Sequence, residues 1–185
     1  MSLTDQFKKD MFLEIEGKIY TVVERQYKTQ GRQGGLIILT LKDVETSQPI
    51  VKTLKAGVKL EQISPEYKEM QYLYSDDTGY FFMDSNSFET ISINAHLIGD
   101  YSRFLKEGDK YVFMFYDSKA ISLRRNSTVE LRITNAPPAV KGNTANGASK
   151  IATTETGYKL NVPLFVEEGD IVVVNTESGE YSGRA

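Results

Sequence analysis

An all-β chain of three consecutive small β-barrels is the fold class this sequence predicts. Three observations predict it. Strand-like periodicity, rich in β-branched and aromatic residues, runs through almost the whole chain. Only one stretch, residues 94–105, reads as helix. Turn and linker signals at Ser64-Pro65 and near Ser127 cut the 185 residues into three parts, 1–63, 64–126 and 127–185. Each part has roughly 60 residues, a size at which an isolated barrel is marginal, so the first two are expected to share an interface.

In the first part, Phe12–Ile15 and Lys18–Glu24 read as strands joined by a tight Glu16-Gly17 turn. Leu36–Val44 and Pro49–Leu54 follow, separated by a Thr46-Ser47-Gln48 turn, which makes a small barrel of four or five strands ending near Ile63. The second part has strands at Glu69–Tyr74, Tyr80–Met83 and Phe88–Ile93, with Asp76-Asp77-Thr78-Gly79 as a hairpin turn. Asn94 is the expected N-cap of a helix reaching Leu105. Strands resume at Lys110–Tyr116 and Ala120–Arg124. Five strands with a short helix between the third and fourth is the pattern of an OB-fold. The third part has strands at Thr128–Thr134, Lys150–Thr153, Tyr158–Val162 and Ile171–Asn175, with a Pro-, Ala-, Gly- and Asn-rich loop from Asn135 to Ser149.

Composition excludes several classes. With 40% hydrophobic and 25% charged residues the chain has an ordinary globular make-up. No apolar run is long enough to span a bilayer, and the first ten residues have no apolar core of a signal peptide, so a cytoplasmic protein without membrane attachment is expected. Zero cysteines remove disulfides, thiolate metal sites and a cysteine nucleophile. The net charge of -3 argues against coating nucleic acid by bulk electrostatics. Residues 1–63, with ten Lys and Arg against eight Asp and Glu, are the only part that leans basic. Contact with RNA is therefore expected to be local.

Little in the chain suggests an enzyme. The single histidine, His96, stands in the helical stretch with no second histidine or cysteine to join it. Asp76-Asp77, followed by Thr-Gly, reads as a solvated turn, and no phosphate-binding glycine loop is present. No metal site and no cofactor are expected. The segment Lys28–Gly35 is more informative: three glycines and one central arginine, Arg32, between strong strands. It reads either as a flexible polar hairpin or as a projecting loop that offers Arg32 to an anionic or RNA partner, a role suited to a planar, permanently charged group. The 135–149 loop, with Lys141-Gly142-Asn143-Thr144, reads either as plain disorder or as a nucleic-acid contact. Tyr72, Tyr74, Phe81 and Phe82 read as barrel core or as a stacking surface for single-stranded RNA in a generic OB-fold binding module.

One segment is recognisable. Lys150-Ile151-Ala152, Gly157, then Leu160, Val162-Pro163, Val166 and Gly169 meet every fixed position of the elongation factor P family signature: Lys-x-Ala, four residues, Gly, two residues, aliphatic, x, Val-Pro, two residues, aliphatic, two residues, Gly. A chance match to so many positions in one chain is negligible. Glu69–Tyr74, Phe82-Met83-Asp84, Ile98-Gly99-Asp100, Phe104-Leu105-Lys106, Thr128–Leu131 and Ser178–Ala185 also resemble this family, so the likeness spans the chain.

The resemblance implies an SH3-like (KOW-like) first domain with a tip hairpin at 28–35, then two OB-folds, in an L that mimics tRNA. The hypusine-bearing eukaryotic and archaeal relatives lack the third domain, so the chain is similar to the bacterial type. It implies a monomeric, non-enzymatic translation factor that binds the ribosome between the peptidyl-tRNA and exit sites. There it promotes peptide-bond formation at stalled consecutive prolines by positioning the proline peptidyl-tRNA. An elongation factor P-like paralogue with shifted stall specificity is the alternative within the family.

Residue by residue, Thr29–Leu36 occupies the family's Lys-Pro-Gly-Lys-Gly-Gly-Ala-Phe tip, facing the CCA end. Gly31 is kept, Gly34 falls on a glycine, and Arg32 stands at the commonly modified lysine. Family members with arginine there attach rhamnose to it, which makes Arg32 the candidate modification site, although the flanking residues depart from that subset's Ser-Gly-Arg-Asn pattern. β-Lysylation needs an amine that arginine lacks. Gly142, Asn143 and Thr144 resemble the loop that approaches the exit-site codon of the mRNA, with Asn143 replacing an aspartate. Tyr181 and Arg184 match the pair that contacts ribosomal RNA of the small subunit and the tRNA anticodon stem.

Overall fold

The computed structural model describes residues 7–29, 35–55, 57–138 and 149–185. Their strands form three curled five-stranded sheets. The first contains β1 (Phe12–Ile15), β2 (Lys18–Thr29), β3 (Gly35–Asp43), β4 (Pro49–Lys55) and β5 (Glu61–Ile63), in the order β4-β3-β2-β1-β5. Glu16 and Gly17 both adopt positive φ (56° and 76°), which gives the turn a twist that matches the paired strands on either side. Along β3, Ile37, Leu39 and Leu41 are buried and alternate with less buried neighbours, so one face meets Phe7, Leu13, Ile15, Tyr20 and Val22.

One strand of this sheet exceeds the sequence reading, and another settles the choice between four strands and five. Pairing with β3 shifts by one residue at Val23 and then continues from Glu24↔Thr40 to Thr29↔Gly35, so β2 runs five residues beyond Glu24. That extension is polar and carries no alternation of its own. β5 is three residues long and is held by pairing to β1.

The second sheet contains β6 (Glu66–Asp76), β7 (Gly79–Asp84), β8 (Thr90–Ile93), β9 (Lys110–Tyr116) and β10 (Lys119–Leu123), ordered β10-β9-β6-β7-β8. The third contains β11 (Thr128–Asn135), β12 (Ser149–Thr154), β13 (Lys159–Pro163), β14 (Ile171–Asn175) and β15 (Tyr181–Arg184), ordered β13-β12-β11-β14-β15. If each sheet's own strands are counted from one, both read 3-2-1-4-5, the open Greek-key order of an OB-fold. β13 and β15 approach each other and curl the third sheet toward closure. The predicted fold class holds.

The helical stretch is shorter than its sequence suggested. Asn94 caps it as expected, its Oδ1 accepting the His96 N–H at 3.0 Å. The α-helix α1 covers only Ala95–Ile98, and a 3-10 segment follows from Gly99 to Phe104. The change falls at Ile98, whose carbonyl also accepts an Arg125 guanidinium N–H at 3.0 Å. Phe88, expected at the start of a strand, instead lies in the loop before β8, with φ of 60° and its side chain 72% exposed.

The chain divides into two compact units. Met1–Glu69, Ile93–Leu97 and Val112–Leu123 form one, which places the β9–β10 hairpin with the first sheet. Phe12, Val44, Ile63 and Ile121 are its shared apolar cluster, with Tyr116 packed against them and donating its hydroxyl to Glu14 at 3.3 Å. Met70–Ser92, Ile98–Tyr111 and Arg124–Ala185 form the other. In this unit Thr156 donates its hydroxyl to the Arg103 carbonyl at 2.7 Å, and the Phe104 and Tyr158 rings meet edge to face at 5.4 Å. The Arg103 guanidinium lies over both rings, at 4.9 and 5.0 Å.

One loop recurs in all three sheets. Asp43, Asp84 and Asn175 each accept, at Oδ1, the N–H groups two and three residues on. Each carbonyl then accepts the N–H of a left-handed residue, Ser47, Phe88 or Gly179. Hydrogen bonds hold the buried Asp43 carboxyl below the usual range, first that from the Thr46 N–H. Because the folded value is depressed, this contribution is present above the unfolded carboxylate pKa of about 3.9 and lost as pH falls through the folded value. Asn175 does the same work with a neutral amide. Asp43→Asn is therefore expected to be about 1 kcal/mol less stable than the unaltered protein at pH 7, with the gap closing toward pH 3. Thermal unfolding across that range checks this, and a gap that stays constant with pH would rule out the charge.

Candidate nucleic-acid interface

Two of the expected contact regions, Gly31, Arg32 and Gly34 in the tip and Gly142, Asn143 and Thr144 in the third part, lie outside the described residues. The base of the tip is described. β2 ends at Thr29 and β3 begins at Gly35, so both strands reach into the expected 28–35 hairpin. The Tyr27 ring lies against the Gly35 backbone so closely that a Cβ at that position would collide with it. Lys28, Leu36 and Lys55 pair across three adjacent strands, which brings two exposed lysines to the end of the sheet nearest the tip. Lys55 was not singled out from sequence, because only the register brings it to the same end of the sheet as Lys28.

The expected pair at the chain's end is fully described. Tyr181 opens β15 opposite Val174, half-buried, beside a groove lined by Lys159, Asn161, Ser178 and Glu180. Arg184 closes the strand opposite Val172. Its Nη2 donates to Asp170 Oδ2 at 2.6 Å, and its Cζ stands 5.6 Å from the centre of the Phe165 ring. The same Asp170 oxygen accepts the Glu167 N–H at 2.8 Å. That backbone bond, then the one from Arg184, holds the Asp170 carboxyl below its ordinary range. Neither Asp170 nor Phe165 was singled out from sequence. The available signal was their position within and just after the signature that ends at Gly169.

The other candidates separate cleanly. Tyr72 and Phe82 are buried, whereas Tyr74 is 48% exposed and stacks on Phe81 at 4.7 Å and 20°. A register shift at Leu73 lets Tyr72 and Tyr74, two residues apart, part company in this way. Asp76 Oδ1 accepts the Thr78 N–H and hydroxyl and the Gly79 N–H, as a turn requires, and these bonds lower its pKa. His96 is exposed. Among the described residues no group of three or more His, Cys, Asp or Glu side chains is arranged to hold a metal ion, and no helix is long and apolar enough to cross a membrane.

Comparison with known proteins agrees with this layout. Residues 3–60 match the family described as Elongation factor P (EF-P) KOW-like domain, residues 65–123 the Elongation factor P (EF-P) OB domain, and residues 129–184 Elongation factor P, C-terminal. The elongation factor P of Corynebacterium urealyticum is 38% identical over 184 residues, covering 100% of this chain and 98% of that protein. That of Moorella thermoacetica is 36% identical over 185 residues, covering 100% of both. Among solved structures, a eukaryotic translation initiation factor 5A from Methanococcus jannaschii shares the fold at a TM-score of 0.53. It is 15% identical, and the match covers 64% of this chain and 87% of that one. A KOW-like barrel followed by two further barrels of these families defines a three-barrel translation factor. The chain belongs to the elongation factor P family.

Proposed function

We propose that this translation elongation factor binds the ribosome between the peptidyl-tRNA and exit sites and speeds peptide-bond formation at stalled consecutive prolines. The observation that carries this reading is the ordered match of all three barrels along the full chain to elongation factor P. The protein acts as a cytoplasmic monomer and supplies position rather than reacting groups, while the ribosome performs the chemistry. The tip carries Arg32 toward the CCA end of the proline peptidyl-tRNA. Lys28 and Lys55, at the hairpin's base, add positive charge on the same side. The Gly142–Thr144 loop meets the mRNA at the exit site, and Tyr181 and Arg184 meet ribosomal RNA and the anticodon stem. Rhamnosylation of Arg32 is the modification compatible with its side chain.

In vitro translation of a reporter with three consecutive prolines tests the reading. The purified protein is expected to speed full-length synthesis, and Arg32→Ala to lower that rescue about tenfold while the protein still binds ribosomes. Equal rescue by the variant would remove Arg32 from the mechanism. No rescue by unaltered protein purified from its native host would remove the proline-stall reading itself.

A further inference from the structure

The loop after β13 is built to hold one carboxylate. Val166, fully buried, donates its N–H to Pro163 O at 3.1 Å, and the Gly169 N–H reaches Ile133 O at 2.8 Å. Ile133 in turn donates to Asp170 O at 2.8 Å, and the Asp170 N–H reaches Glu167 O at 3.2 Å. Asp170 is thus fixed through its N–H, its carbonyl and its side chain before it meets Arg184. At the other end, the Ala185 N–H donates to Ile171 O at 3.0 Å, which ties down the backbone beside Arg184.

An ion pair with side chains 51% and 25% exposed adds little to stability. Its effect is orientation. A free arginine samples many rotamers and loses them on binding, whereas this guanidinium is already held against a carboxylate and an aromatic face. Its Nε and Nη1 have no partner among the described residues, which leaves N–H donors for a phosphate. The adjoining Phe165 ring is 60% exposed and offers a face to a ribose or base.

We propose that Asp170 is a positioning residue for Arg184, and that Phe165 forms the wall of the same contact, the three together receiving the phosphodiester backbone of a structured RNA. This rests on the ribosome-binding reading above. It also assigns a purpose to the signature loop: holding the arginine at the end of β15.

The sign of one substitution separates positioning from simple electrostatics. Asp170→Asn removes a negative charge near the RNA, so electrostatics alone would tighten binding. That effect is muted at physiological salt, where the screening length is about 8 Å. Positioning demands the reverse. With the full-length protein and ribosomes that carry a peptidyl-tRNA and a vacant exit site, Asp170→Asn is expected to weaken affinity about threefold to tenfold. The slope of log affinity against log salt should stay unchanged for this variant and fall by about one for Arg184→Ala, which loses a cation. Asp170→Asn combined with Arg184→Ala should bind no more weakly than Arg184→Ala alone.

Asparagine keeps one amide oxygen for the Glu167 N–H but offers Arg184 only a neutral acceptor in place of the charge-assisted bond, and a melting curve verifies the fold. Arg184→Lys, which leaves the loop untouched, should lose affinity at an unchanged salt slope because it lacks the planar fork. Asp170→Asn binding as tightly as the unaltered protein, or weakening it equally in the Arg184→Ala background, overturns the proposal while leaving ribosome binding intact. Failure of the unaltered protein to bind ribosomes overturns both.

Discussion

Phe82→Ala is expected to lower the free energy of unfolding by about 3–5 kcal/mol, against less than about 1 kcal/mol for Tyr74→Ala. The two residues sit on neighbouring strands, and both belong to the run that composition alone allowed to be an RNA-stacking surface. Phe82 is fully buried, its ring 5.1 Å from that of Tyr72 and edge-on to that of Tyr111 at 6.1 Å. The space around it cannot collapse easily. Tyr111 is held by the Lys106 N–H, which donates to its hydroxyl at 2.9 Å, and burial pushes its phenol up to about 12. Truncation would therefore leave a cavity, adding a packing loss to the lost transfer energy. Tyr74 has only its stack on Phe81 to lose. Urea unfolding of the two variants decides the matter. A small shift for Phe82→Ala would remove it from the core and revive the stacking reading for the whole run. If free RNA binds at all, affinity should respond to Tyr74→Ala, and to Phe82→Ala only through unfolding.

The fold was legible where local chemistry and tertiary context agree. Phe12–Ile15, the Glu16-Gly17 turn and Ile171–Asn175 emerge at their expected bounds because alternation and turn residues are local signals. The polar end of β2 was not legible, and the three-residue β5 was legible only as a possible fifth strand ending near Ile63. Their strand character comes from pairing to β3 and β1, which no periodicity within either segment reveals. The helix at 94–105 was overestimated for a related reason. Asn94 starts it visibly, but at the carbonyl where it passes into a 3-10 segment the chain also meets Arg125, 27 residues away, a contact no local pattern reveals. The site divides the same way. Tyr181 and Arg184 were recognised through resemblance, yet Asp170 and Phe165 acquire meaning only once the turn returns them to β15. Gly169 closes the signature, and the residue that engages Arg184 is the next one along.

Gly179→Ala is expected to cost about 2–3 kcal/mol, and Phe88→Gly, at the same position of the sister loop, to gain about 0.5–1 kcal/mol. Both residues are left-handed, at φ of 74° and 60°. Backbone conformation alone would therefore make each change a small one, opposite in sign. Contacts separate them further. A Cβ on Gly179 would fall 2.5 Å from the Tyr158 hydroxyl and 3.1 Å from an Arg103 guanidinium nitrogen. Tyr158 would have to leave the Gly179 carbonyl, to which it donates at 2.9 Å, and with it disturb the ring that packs on Phe104 and carries Arg103. Phe88, largely exposed, gives up little packing when replaced. Because Tyr181 begins two residues after Gly179, displacing this loop should also weaken ribosome binding, whereas Phe88→Gly should leave it unchanged. Melting temperatures and ribosome affinities of the two variants, measured side by side, provide the check. Equal and opposite shifts of about 1 kcal/mol would mean that backbone strain alone governs the loop. A Gly179→Ala loss well beyond that would mean that Tyr158 and Arg103 use the bare glycine as the seat on which the last strand is set.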